Sequence, residues 1–104
     1  MIKYKIVVSQ KTIDMLKEHI AFIADVDKKA ARNTKNKLLD AFKSLEEMPQ
    51  RYPFFDEQYI PSNKYHKMYV EKWYLVLYQI KDETVYIDFV LDCRKDYSWL
   101  LNNS

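Results

Sequence analysis

The stretch from Tyr65 to Tyr97, YHKMYVEKWYLVLYQIKDETVYIDFVLDCRKDY, decides the fold of this 104-residue chain. From Trp73 to Ile80 nearly every residue is aromatic, β-branched or leucine, which is typical of a strand buried on both faces. Residues 85–92 alternate between apolar and mixed positions, and residues 65–70 precede them as a further strand. The stretch therefore predicts a meander of three antiparallel strands. The apolar face predicted for the last strand consists of Val85, Ile87, Phe89 and Leu91.

The two connections within this meander are short and polar. Lys81-Asp82-Glu83 separates the second strand from the third, and Glu71-Lys72 separates the first from the second. A two-residue hairpin loop favours Gly or Asn where φ is positive, and the chain contains no Gly. We therefore expect a longer or distorted turn at Glu71-Lys72.

The first half of the chain predicts one strand and a helical hairpin. Residues 2–8 alternate as a strand does, and Ser9 follows as an N-cap for the first helix. Apolar spacing of three and four residues continues to 25–27, where Asp27 can cap a second helix that stops at Met48-Pro49. Two amphipathic helices joined by a tight turn must bury their apolar stripes against the sheet.

These elements predict a single α+β domain over residues 1–104, built on a small mixed, mainly antiparallel sheet. Its order is strand, helical hairpin, three-strand meander and a short C-terminal helical turn at 98–102, with an aromatic loop at 50–63. No apolar run approaches the ~20 residues of a membrane span, and the N-terminus lacks a signal-peptide layout. We therefore expect a cytosolic protein with no membrane partner.

The composition gives little support to metal or nucleotide chemistry. Cys93 is the only cysteine and His19 and His66 the only histidines, so a metal site would need carboxylates, and none are suitably spaced. A glycine-rich phosphate loop is impossible without Gly. We expect no metal and no cofactor.

Two groups of cations are candidates for phosphate binding. One is a run on the second helix without an intervening acid, which indicates either a solvated helix face or a surface that contacts phosphates. The net charge of the chain, +2, permits a polyanionic partner without requiring one. The run comprises Lys28, Lys29, Arg32, Lys35 and Lys37.

The second group is expected to converge at one end of the meander. Phosphodiester transfer needs a base, an acid and cations that stabilise charge on the phosphorane, and such residues supply all three without a metal. The alternative is structural: Arg94 and Asp96 form a surface ion pair and Tyr97 is a core aromatic. The group comprises Arg51, Lys64, His66, Lys67, Arg94, Lys95 and Tyr97.

Several short motifs, in their order and spacing, resemble the RelE/ParE superfamily of toxins from bacterial type II toxin–antitoxin systems. The resemblance covers nearly the whole chain and implies a cognate antitoxin that wraps the toxin. Where relatives commonly have Arg after a strand-opening Tyr, this chain has His66. The motifs are Leu-x-x-Met-Pro at 45–49, Arg-Tyr-Pro-Phe at 51–54, Tyr-x-Lys at 65–67, YLVLYQI at 74–80 and DCRKDY at 92–97.

The resemblance leaves the activity open because the superfamily divides. RelE-like members are ribosome-dependent mRNA endonucleases that work without metal, whereas ParE-like members inhibit DNA gyrase without cutting RNA. Our prediction from the sequence is mRNA cleavage on the ribosome, which arrests translation; the alternatives are gyrase inhibition and a non-toxic binding module. Catalytic roles are assigned to Arg51, His66, Lys67, Arg94 and Tyr97, and RNA contacts to Lys28, Lys29, Arg32, Lys35, Lys64 and Lys95.

Overall fold

The fold is the predicted α+β arrangement of a helical hairpin and a mixed sheet. The computed structural model describes residues 2–58 and 60–94. Within these ranges no helix is long and apolar enough to cross a membrane. The elements are β1 (Lys5–Val8), α1 (Gln10–Ala24), α2 (Lys28–Ser44), a 3-10 turn (Pro49–Arg51), β2 (His66–Val70), β3 (Tyr74–Lys81) and β4 (Thr84–Asp92).

The strands form one sheet in the order β1-β4-β3-β2. β2, β3 and β4 are antiparallel neighbours, whereas β1 pairs in parallel with β4, from Lys5 opposite Thr84 to Val8 opposite Ile87. A parallel pair needs a long crossover connection, and the helical hairpin begins that connection. The prediction that the first strand joins the meander in a mixed sheet is confirmed.

Both helices begin at the residues that the sequence predicts as caps. The Ser9 hydroxyl accepts the backbone N–H of Thr12 at 3.0 Å. The Asp27 carboxylate accepts the N–H groups of Lys29 and Ala30 at 3.0 and 3.1 Å. These bonds satisfy backbone donors that have no partner within the first turn of a helix.

The second helix ends earlier than predicted. α2 stops at Ser44, ahead of the Met48-Pro49 stop, and Met48 turns the chain with a φ of 48°. The Arg51 guanidinium then returns to the helix end, where it donates to the carbonyl oxygen of Glu47 and, at 3.1 Å, to that of Met48. Carbonyl groups beyond a helix C-terminus attract cations, so a turn closed by Arg51 replaces the last predicted helical turn.

Both faces of β3 are buried, as its composition predicts. Tyr74, Val76 and Tyr78 face the helices, and Leu75 and Leu77 face the opposite side. The aromatic loop covers that opposite side, as expected. The helix-side core includes Leu16, Leu38, Phe42, Leu45, Val85, Ile87 and Val90, and the loop-side core includes Phe55, Ile60, Phe89 and Leu91.

A β-bulge in β4 changes which residues face each core. The register pairs Leu77 with Phe89 and Tyr78 with Ile87, so Asp88 has no residue opposite it. One extra residue reverses the alternation of side chains along a strand. The predicted single apolar face is therefore wrong: Val85 and Ile87 face the helices, whereas Phe89 and Leu91 face the loop.

The β2–β3 connection is longer than two residues, as predicted. Val70 pairs with Tyr74, which leaves Glu71, Lys72 and Trp73 in the turn. Glu71 and Lys72 have φ values of 53° and 71°, in the left-handed region that suits Gly. Trp73, predicted inside a buried strand, lies instead in this turn with 41% of its surface exposed.

Candidate functional site

The strand register separates two of the predicted catalytic residues, His66 and Arg94, along the sheet. His66 pairs with Tyr78, whereas Asp92, two residues before Arg94, pairs with Tyr74. β2 and β4 are both antiparallel to β3 and so run in the same direction. The start of β2 and the end of β4 therefore lie at different levels of the sheet. The two levels differ by four positions of β3, or about 13 Å. The predicted convergence of Arg94 with His66 is wrong.

His66 is buried and held by hydrogen bonding and ring contacts. Its ring Nδ1 lies 2.7 Å from the carbonyl oxygen of Tyr52. Because a carbonyl can only accept, Nδ1 is the donor. The imidazole also contacts the rings of Phe54 and Tyr78, at centroid distances of 4.2 and 5.3 Å. With 9% of its surface exposed, His66 fastens the aromatic loop to the start of β2.

Tyr78 completes this attachment from the middle of the sheet. Its buried hydroxyl donates to the carbonyl oxygen of Pro49 at 2.7 Å. Burial raises the pKa of Tyr78 above its ordinary value of 10, and the nearby positive charge of Arg51 opposes that rise without cancelling it. The hydroxyl thus remains protonated, and able to donate, throughout the physiological pH range.

Three further predicted site residues lie at this end of the sheet. Arg51 is exposed, but it binds the end of α2 and lies over the Tyr52 ring at 4.7 Å. Lys67 is partly buried, and its backbone N–H donates to Pro53 at 2.9 Å. Lys64 is exposed with its ammonium 5.3 Å from the centre of a neighbouring tyrosine ring.

Arg94 lies at the other end of the sheet, in a two-pronged ion pair with Asp92. Its Nε and one terminal nitrogen lie 3.0 and 2.9 Å from the two carboxylate oxygens, and its backbone N–H donates to the same group at 2.9 Å. Burial would raise the pKa of Asp92, but the hydrogen bonds from Arg94 outweigh it and hold that pKa below its ordinary value. The Asp92 side chain is 5% exposed and that of Arg94 50%, so the guanidinium is fixed yet accessible.

Aromatic side chains adjoin this ion pair. The Arg94 guanidinium carbon and the Lys72 ammonium lie 5.1 and 5.0 Å from the Trp73 ring centre. Beneath them, His19 on α1 approaches the carbonyl oxygen of Val90 at 2.8 Å. Asp92 and Trp73 were not predicted from the sequence as parts of this cluster. One signal was available, since a glycine-free turn longer than two residues removes Trp73 from the strand.

The cations of α2 are solvent-facing. Lys28, Lys29, Arg32 and Lys35 are all exposed, and their assignment to RNA binding stays a prediction. Lys37 instead forms an ion pair with Glu71 at 3.1 Å. Lys95, Tyr97 and the turn predicted at 98–102 lie outside the described residues.

A cavity of about 560 Å³ opens at the C-terminal end of α2. Most of its lining residues are charged and of both signs, although carbon atoms supply most of the surface that faces the cavity. In the two described ranges no group of three or more His, Cys, Asp or Glu side chains is arranged to hold a metal ion. The lining consists of Lys3, Asp40, Lys43, Ser44, Glu46, Glu47, Met48 and Arg51.

Comparison with known proteins identifies the class. The sequence matches the family described as ParE toxin of type II toxin–antitoxin system, parDE, over residues 6–97. Similar solved structures include the chromosomal ParDE TA system from P. aeruginosa, which is 12% identical with a TM-score of 0.71 over 86% of this chain and 96% of that one. At that identity the likeness shows the fold alone. No curated protein matches the sequence significantly. The chain therefore belongs to the family of ParE toxins, within the RelE/ParE superfamily that its motifs resemble.

Proposed function

We propose that this chain is the toxin of its toxin–antitoxin pair and acts in the cytoplasm by binding and inhibiting DNA gyrase, without catalysing a reaction. The observation that carries the proposal is the strand register. It places Asp92, two residues before Arg94, four positions of β3 from His66, so Arg94 does not meet the other cations expected to surround one phosphate. A surface that only binds a partner does not require that convergence.

The contacts of the individual residues support the same proposal. Cleavage of mRNA, which we predicted from the sequence, needs an acid, a base and a charge stabiliser within hydrogen-bond reach of the reacting atoms. His66 is buried against two rings, and Arg51 binds backbone carbonyl groups at the end of α2. Each has a structural role that its removal would disrupt, whereas Arg94 keeps half of its side chain in solvent.

A paired assay tests gyrase inhibition against mRNA cleavage. The purified wild-type chain is added to a gyrase supercoiling reaction, and mRNA 5′ ends are mapped in cells that express it. We expect supercoiling to stop and mRNA to stay intact, with Arg94→Ala weaker in the first assay. The proposal would be overturned if gyrase supercoiling continued normally and mRNA were cut within translated codons. Lys81→Ala serves as the control, because it removes an exposed cation from the far end of β3.

The family implies a cognate antitoxin, and we propose that it binds the tip of the helical hairpin. Phe22 and Val26 are four residues apart and are 63% and 89% exposed, as suits the spaced anchors of an amphipathic partner segment. Lys28, Lys29 and Arg32 follow on exposed positions of α2, where they favour an acidic segment. We also expected from the sequence an apolar groove bordered by α2 for this partner, and that expectation stays a prediction beside the hairpin tip.

Substitution at the tip tests the antitoxin site. Val26→Asp changes a side chain that is almost wholly exposed, so the fold should tolerate it while the apolar anchor is lost. We expect the antitoxin, supplied from the neighbouring gene, to bind this variant more weakly in calorimetry. Tyr86→Asp on β4 is the matched control. Unchanged antitoxin binding by Val26→Asp would exclude the hairpin tip as the site.

A further inference from the structure

We infer that Tyr69, Lys72, Trp73 and Arg94, together the Trp73 surface, form the face with which this chain contacts gyrase. The partner would offer an apolar pocket for the Trp73 ring, an acidic group for Lys72 and a hydrogen-bond acceptor for Arg94. The inference rests on the proposed function, and it names the surface by which that function is carried out.

Lys72, Trp73 and Arg94 are in contact, and Tyr69 lies at the same end of the sheet on its loop side, where it pairs with Leu75. The backbone N–H of Cys93 donates to the carbonyl oxygen of Trp73 at 2.8 Å, which joins the end of β4 to the β2–β3 turn. The Arg94 guanidinium and the Lys72 ammonium both lie near the Trp73 ring. Tyr69 lies on the same end of β2, near enough to Cys93 for that residue to influence its pKa, which burial chiefly raises.

The composition and exposure of the patch are those of a binding hot spot. Trp, Tyr and Arg are the residue types most enriched where a few side chains dominate the affinity of an interface. Here Tyr69 is 56% exposed and Trp73 41%, so both have large surfaces still to bury. Scattered apolar side chains are ordinary on a protein surface, but here the Trp73 ring lies against a guanidinium and an ammonium, with Tyr69 at the same end of the sheet.

The patch is also pre-organised. Asp92, almost fully buried, holds Arg94 through both prongs of its guanidinium and through its backbone N–H. A side chain already fixed loses little conformational freedom on binding, which preserves affinity. The ion pair therefore holds Arg94 beside the Trp73 ring, where the exposed side of the guanidinium can donate hydrogen bonds to an acceptor on a partner.

The charge balance favours a protein partner over nucleic acid. Nucleic-acid surfaces draw their affinity from uncompensated cations that displace counterions. At this end of the sheet Asp92 neutralises Arg94, and Glu71 neutralises Lys37. Lys72 is the one cation of the patch for which the described residues show no carboxylate within ion-pair distance. The patch thus fits a partner that combines an apolar pocket with a single acidic group.

The Trp73 surface lies at the same end of the molecule as the hairpin tip. Thr12 contacts Ile87 and His19 contacts Val90, so α1 runs alongside β4 in the same direction. The C-terminal end of α1 and the end of β4 are therefore neighbours. An antitoxin bound to the tip would stand beside the Trp73 surface and hinder access to it, which gives a steric route to neutralisation.

Two variants and one control test the inference in the intact chain. We expect Trp73→Ala to need at least about 30-fold more protein for half-inhibition of supercoiling, the loss that corresponds to a hot-spot residue. Its melting temperature and its affinity for the antitoxin should stay near wild type. Tyr69→Asp, on an exposed position that the fold tolerates, should also weaken inhibition. Tyr86→Ala, exposed on β4 near its other end, should not.

Each other outcome overturns the inference in a distinguishable way. If either variant is folded and inhibits gyrase like wild type, the Trp73 surface is not the gyrase-binding face. If Trp73→Ala does not fold, the result for Tyr69→Asp decides. Loss of antitoxin binding with inhibition intact would assign the patch to the antitoxin. If the wild-type chain binds DNA in the absence of gyrase and Trp73→Ala does not, the Trp73 surface is a nucleic-acid site. A wild-type chain that leaves gyrase active would instead overturn the proposed function itself.

Discussion

Replacing Tyr78 by Phe removes a single oxygen from the centre of the sheet and should measurably weaken the fold. The hydroxyl donates 2.7 Å to Pro49, and both residues are buried. The variant loses one hydrogen bond and leaves a buried carbonyl group without that donor, which costs about 1–3 kcal/mol. The ring itself remains, so no large cavity adds to the cost. For a domain of this size each kcal/mol lowers Tm by roughly 4–8 °C.

The same hydroxyl gives the wild type a distinct alkaline response. Below pH 10 Tyr78 is protonated in the folded and the unfolded chain, and its full contribution to stability is present. Above pH 10 the unfolded chain ionises first, because burial raises the pKa in the folded state. Stability then falls with pH, by at most about 1.4 kcal/mol per pH unit for this one group. Tyr78→Phe should lack this component of the decline.

Urea unfolding monitored by circular dichroism from pH 7 to 11 measures both effects. Tyr86→Phe is the matched control, since it deletes the same atom from an exposed ring of β4 and should change stability by less than about 0.5 kcal/mol. The reasoning is refuted if Tyr78→Phe is as stable as wild type at pH 7. It is equally refuted if wild type and variant lose stability with the same slope above pH 10.

Two further substitutions address the ion pair and the second helix. Asp92→Asn should cost about 1 kcal/mol at neutral pH, a modest value because half of the Arg94 side chain is in water. Because the pKa of Asp92 is depressed, wild type should be more stable than Asp92→Asn above pH 3.8, and the difference should vanish as the pH falls further. Urea unfolding at a series of acid pH values measures this difference. A difference that persists at the lowest pH would contradict the role of the ion pair. Asp27→Ala should cost about 1 kcal/mol through loss of the α2 cap, measured by urea unfolding, whereas exposed Asp25→Ala should not; equal losses would contradict the capping role.

The secondary structure was predictable because each signal is local. Ser9 and Asp27 act on backbone groups two or three residues away, and the composition of residues 74–78 alone requires burial on both faces. The bulge at Asp88 was not predictable in this way. In the sequence Asp88 looks like an ordinary outward position of an alternating strand, and only the pairing with β3 shows that it is the extra residue.

The prediction that His66 and Arg94 converge was wrong for a different reason. The positions of His66 and Arg94 depend on strand direction, and two strands that are both antiparallel to a third must run the same way. That rule follows from the predicted meander itself, so the separation of the two residues could have been predicted from the sequence. The Asp92–Arg94 pair, by contrast, depends on the conformation at the end of β4, which the sequence does not reveal; the ion pair expected with Asp96 falls on a residue outside the described ranges.

The parallel pairing of β1 with β4 has a consequence for biosynthesis. It joins residues 5–8 to residues 84–87, so β1 cannot pair until β4 has been synthesised. β4 also supplies Val85, Ile87 and Val90 to the helix-side core, and contacts this distant in sequence form slowly. A nascent chain that ends before residue 84 cannot close its sheet. The sheet therefore closes only after β4 has been synthesised, and an antitoxin that needs the closed sheet can bind only from that point on.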